Sequence, residues 1–109
     1  MKLIVAIVHD DDKHILESEF RRNNIPSTRL SSTGSFLRSG NTTFLIGIEK
    51  ERIEEVLDVI KDTCEARDEL ITAPINLDVN LEMSTAYPVK VHIGGATVFV
   101  LPIEAMYRF

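Results

Sequence analysis

Only one cysteine, Cys64, occurs in the 109 residues. A lone cysteine excludes a disulfide framework and any cysteine-built metal site. Basic residues are also scarce: 12 Lys and Arg face 17 Asp and Glu, for a formal net charge of −5. That balance argues against a general nucleic-acid binder, whose face must be basic enough to release phosphate counterions. A single small anion is still within reach, because helix termini and a few arginines can hold one locally. The apolar run that opens the chain stops at His9-Asp10-Asp11-Asp12, too short to cross a membrane and without a small-residue cleavage site. It reads as a strand of a cytoplasmic protein. Also missing are G-x-S-x-G, H-E-x-x-H and a Walker loop, and no repeat or low-complexity segment is evident. No catalytic constellation is expected, and no cofactor.

What is present orders itself as one domain over residues 1–109. Leu3–Val8 is continuous, apolar and β-branched, the pattern of a strand buried on both faces. The aspartates that follow open a first helix, expected from about Asp11 to Asn23, with Ile15, Leu16 and Phe20 facing inward. Ile25–Ser32 and Thr42–Ile48 read as strands, joined through an enlarged loop at 33–41. Ile53, Val56, Leu57, Ile60 and Cys64 make one apolar stripe, the mark of a second helix. Residues 68–87 are the least regular stretch. Val89–Ile93 and Ala96–Leu101 are β-prone runs, and Gly94-Gly95 between them predicts a two-residue hairpin. The order β-α-β-β-α-β predicts an α+β, ferredoxin-like sandwich with an extra C-terminal hairpin and both helices on one sheet face. No third helix exists to cover the other face. Self-association is the economical cover, so an oligomer is expected.

Three clusters carry possible chemistry. His9, Asp10, Asp11, Asp12 and His14 are metal-ligating types, but they straddle a strand end and a first helical turn, where acids cap the helix. Capping is the reading taken, and no metal is assigned. Cys64 continues an apolar stripe and reads as core. The loop Thr33-Gly-Ser-Phe-Leu-Arg-Ser-Gly-Asn41 is different. Its glycines can turn backbone N–H groups toward a phosphate. Asn41 offers donors and an acceptor to a base edge, and Phe36 offers a face for stacking. Equally, Phe36 and Leu37 could fold onto the core or into a subunit interface of an ordinary hairpin loop. Composition alone leaves both readings open.

Longer stretches bear on that choice. Met1-Lys-Leu-Ile-Val-Ala-Ile-Val, Ser32-Thr-Gly-Ser-Phe-Leu-Arg-Ser-Gly-Asn-Thr-Thr-Phe-Leu-Ile-Gly47 and Gly94-Gly-Ala-Thr-Val-Phe-Val-Leu-Pro102 resemble the PII-like cyclic di-AMP receptor family, over essentially the whole chain. The resemblance implies a homotrimer with its sheets facing a three-fold axis. It also implies a non-catalytic receiver that binds cyclic di-AMP, or a related adenine nucleotide, in clefts between subunits and signals to a downstream protein through its loops. By matching position it implies pocket roles for Thr28, Phe36, Leu37, Gly40, Asn41, Gly47 and Phe99, and Gly34 joins them as a loop glycine able to turn a backbone N–H toward a phosphate. Phe36 and Phe99 would give apolar and stacking surface, and Asn41 a base-edge contact. The chain differs from the family pattern at Pro26, where an arginine is common, at residues 77–87, which lack the family's glycines, and at Arg108, a glutamine-like position. Arg108 is included in the site as a charge able to reach the phosphates from a neighbouring subunit. The alternative expectation is a trimer that has lost the nucleotide and works as a protein-interaction module.

Overall fold

A computed structural model describes residues 1–30, 40–73 and 87–109 of the chain. In chain order the elements are β1 (Lys2–His9), α1 (Lys13–Arg22), β2 (Thr28–Leu30), β3 (Asn41–Ile48), α2 (Ile53–Cys64), β4 (Arg67–Ala73), β5 (Tyr87–Ile93) and β6 (Ala96–Pro102). A 3-10 turn precedes each helix, at Asp10–Asp12 and at Lys50–Arg52.

Four strands form one sheet in the order β2-β3-β1-β6, antiparallel throughout. That order is consistent with a ferredoxin-like domain. The side-chain alternation of β1 decides where the helices lie. Ile4, Ala6 and Val8 are buried, with Phe44, Ile46 and Ile48 of β3, beneath Leu16 and Phe20 of α1 and Val56, Ile60 and Cys64 of α2. The Phe20 and Phe44 rings meet edge to face with centroids 5.6 Å apart, a geometry that adds to burial alone.

Four expectations need correction. Val89–Ile93 and Ala96–Leu101 do not form a hairpin with each other. β5 pairs with β4 in a separate two-stranded sheet, and β6 pairs with β1. The extra element is therefore a β4–β5 arm inserted before the last strand. β1 offers β6 a seven-residue register that brings Val98 onto the core, which a local hairpin would forfeit. Gly94 and Gly95, with φ of 81° and 100°, turn the chain from one sheet into the other, and Gly95 N–H is held by the Cys64 carbonyl.

Ile15 is 59% exposed. The inner stripe of α1 runs through Asp12, Leu16 and Phe20 at spacings of four, which turns Ile15 outward and makes Glu17 the half-buried shoulder. The helix also starts later than expected, after its 3-10 turn. Finally, β1 is buried on one face only: Leu3, Val5 and Ile7 are half-exposed on the other.

Candidate ligand site on the open sheet face

Directly opposed residues of an antiparallel pair share a face. The register therefore gives rows across the open face. One row runs Thr28, Leu45, Val5, Phe99; the next on one side is Gly47, Leu3, Leu101, and on the other Leu30, Thr43, Ile7, Thr97. Asn41 and His9 face each other at the end of the sheet. Phe99 and Leu101 are 51% and 46% exposed, so among the described residues this surface is apolar and uncovered.

The described site residues from the sequence fall mostly on this one face, but they do not converge. Thr28 and Phe99 lie in the same row at opposite sheet edges, about 14 Å apart at ordinary strand spacing. Asn41 and Phe99 are separated by two inter-strand spacings and four residues along the strand, about 16 Å by the same geometry. Gly40 sits just before β3 with φ of 91°, in the left-handed region glycine tolerates. Arg108 is exposed beyond β6. Gly34, Phe36 and Leu37 lie outside the described residues.

Gly47 is informative because nothing among the described residues demands it. A Cβ there would meet only Met1 Cε at 3.9 Å and Ile103 Cδ1 at 4.0 Å, ordinary contacts, and no positive φ requires glycine. Glycine within a strand often marks a place where a ligand or another backbone comes close.

Two recesses border the sheet, one at the end of β1 and one on the helix side beside β2. One, of about 360 Å³, is lined by His9, Asn41, His92, Gly94, Gly95 and Thr97 among others. His92 Nδ1 lies 3.0 Å from Asp68 Oδ1. The second, about 490 Å³, holds Pro26 with Glu17, Arg21 and Arg29. Arg29 and Arg21 come within 3.2 and 3.9 Å of Glu17 carboxylate oxygens, so positive charge borders Pro26 although Pro26 carries none.

The aspartates at the end of β1 are used structurally. Asp10 N–H donates to the Gly40 carbonyl at 2.9 Å, and Thr42 Oγ1 donates to the Asp10 carboxylate. Asp12 is 1% exposed and pairs with Arg67, Nη2 to Oδ1 at 2.9 Å. That hydrogen bond is the main reason the Arg67 guanidinium is held above its ordinary pKa. Among the described residues no group of three or more His, Cys, Asp or Glu is placed to hold a metal, and no helix is long and apolar enough to cross a membrane. Burial first, then the nearby Asp12 charge, pushes the Cys64 thiol up to about 12.

Sequence reasoning missed β4 and the linking roles of Asp10 and Asp12. The signal for β4 was there in weak form, as the Leu70-Ile71-Thr72 run, which pairs with Lys90, Val89 and Pro88. Three of its seven residues are charged, which masked it.

The model of the cyclic-di-AMP receptor family matches residues 1–109. This chain belongs to that family. A crystal structure of a functionally unknown protein from Pediococcus pentosaceus is similar as well, with 47% sequence identity and a TM-score of 0.79, covering 99% of this chain and 96% of that one.

Proposed function

We propose that this chain is a non-catalytic cyclic di-AMP receptor that works as a trimer, with each ligand held between two subunits. The observation that carries the reading is the separation of the site residues. Thr28 and Asn41 lie on one side of the face and Phe99 on the opposite edge strand. A second copy that covers the apolar face would bring its own Phe99 toward them. Gly47 then keeps a bare patch where that copy or the ligand approaches. Phe36 and Phe99 offer surfaces for the adenines, and Asn41 reads an adenine edge. The loop glycines Gly34 and Gly40, with Leu37 between them, let backbone N–H groups turn to a phosphate, and Arg108 adds charge. The protein would act in the cytoplasm and pass its state to a protein partner.

Calorimetric titration with cyclic di-AMP, ATP, ADP and cyclic di-GMP tests this. Binding of cyclic di-AMP is expected to be preferred. Phe36→Ala should weaken it about 5- to 150-fold, the worth of one base stacked on an aromatic ring, with the trimer unchanged in sedimentation. Silence across the panel at millimolar ligand would sink the reading. One observation favours a second reading: Pro26 removes a charge and a backbone donor, as expected of a trimer that has lost its nucleotide and keeps only a protein partner. A pull-down indifferent to nucleotide would support that version.

A further inference from the structure

We propose that the Asp10–Asp12 turn is a mechanical link between the start of β3 and the root of the β4–β5 arm, through which a ligand on Asn41 shifts the arm. The ligand part rests on the function proposed above; the link itself does not.

The start of β3 is tied to the turn twice. The Gly40 carbonyl accepts the Asp10 N–H at 2.9 Å, and the Thr42 hydroxyl donates to the Asp10 carboxylate. Asn41 stands between these two anchors. Two residues further on, the buried Asp12 carboxylate takes both terminal nitrogens of Arg67, at 2.9 and 3.5 Å. Arg67 opens β4. Its Nη1 also donates to the Glu65 carbonyl at 3.2 Å.

The same guanidinium governs the other end of the arm. A Cβ on Gly94 would lie 2.6 Å from Arg67 Nη1 and 2.9 Å from the Glu65 carbonyl. Gly94 is therefore the residue that lets the returning chain pass over the arginine. Both ends of the arm thus rest on Arg67, and Arg67 rests on the turn that holds Gly40 and Thr42. A 3-10 turn is a tight unit, so Asp10 does not shift without moving Asp12. The recess between Asn41 and the arm residue His92 places the arm as the far wall of the space next to Asn41. A ligand that draws Asn41 toward itself loads the two bonds on Asp10, and the load reaches the arm through Asp12.

Hydrogen exchange on the full chain, read in peptides of β4 and β5, tests the link. Thr42→Val removes one anchor without touching the arm. It is expected to raise arm exchange about fivefold or more, the low end of ordinary coupling. In an Asp12→Asn background, or with Arg67→Met should that variant prove unstable, the same substitution should change arm exchange less than about twofold. An arm that ignores Thr42→Val, or responds equally in both backgrounds, overturns the link. Cyclic di-AMP is then titrated by calorimetry and exchange together. If it binds, it should alter arm exchange in the parent and not in Asp12→Asn, and an equal response in both overturns the proposal. If it does not bind, the ligand reading fails, while the Thr42→Val comparison still decides on the link.

Discussion

Gly47 shows how a single residue can point beyond its own chain. It sits mid-strand, where glycine costs roughly 0.5–1 kcal/mol relative to alanine, yet the space around it would accept a Cβ. Gly47→Val is expected to leave the secondary structure of the subunit intact by circular dichroism while weakening trimer formation, ligand binding or both by tenfold or more. A variant that assembles and binds like the parent would show the glycine to be incidental. Cys64 supports the opposite conclusion for its own case. Its thiol is raised to about 12 by burial and by Asp12, so the fold favours the protonated form. The sign follows: this contribution to stability is complete below the unfolded thiol's ordinary pKa and is lost as pH rises from there toward about 12. Native protein at pH 8 should resist alkylation at Cys64, and denatured protein should react fully. Rapid native labelling, read by mass spectrometry, would contradict the buried placement.

At the scale of the element, the junctions between helices and strands carry most of the specificity. Asn24 has φ of 55° where α1 gives way to the chain leading to β2. Arg52, at the entry to α2, donates to the carbonyls of Asn23 and Asn24 at 2.9 and 3.1 Å. Asn24→Val should cost roughly 1–2 kcal/mol, the penalty of a left-handed conformation for an L-residue, whereas Asn24→Gly should be close to neutral. Denaturant midpoints check both.

These junctions also explain what could be read from the sequence and what could not. The stripe from Ile53 to Cys64 was legible because it repeats one period against one core, whereas the one-sided burial of β1 was not, because its exposed positions are apolar too. The β4–β5 arm was not. Arg67, Asp68 and Glu69 give it a charged start, and its pairing depends on residues some twenty positions away, which local pattern does not encode. Gly94-Gly95 carried a true turn signal with the wrong partner strands. On the site, Asn41, Gly47 and Phe99 are expectations carried by long matching stretches, while Asp10 and Asp12 looked like simple helix caps. Their role is set by Gly40, Thr42 and Arg67, contacts that close only in three dimensions.

For the whole molecule, the determining fact is a sheet that the described residues cover on one face only. Leu3, Val5, Ile7, Leu45, Phe99 and Leu101 spread across the other face. An apolar area of that kind in a chain of this size marks an interaction surface, and closed symmetry lets identical copies cover it for one another. Sedimentation should find a trimer without ligand. Leu101→Glu, on the edge strand of the apolar face, should shift it to monomer, and a monomer in the parent would contradict the account.

The central claim is that one ligand site is built from two subunits. Its most direct measurement mixes two defective chains. Asn41→Ala and Phe99→Ala proteins are unfolded, refolded together in equal amounts and titrated with cyclic di-AMP by calorimetry. If Asn41 and Phe99 of a site come from different subunits, about a quarter of the sites in random trimers regain both side chains and bind with the parent's affinity. If the parent binds but the mixture recovers no such sites, the two residues serve within one subunit, and the shared site is wrong.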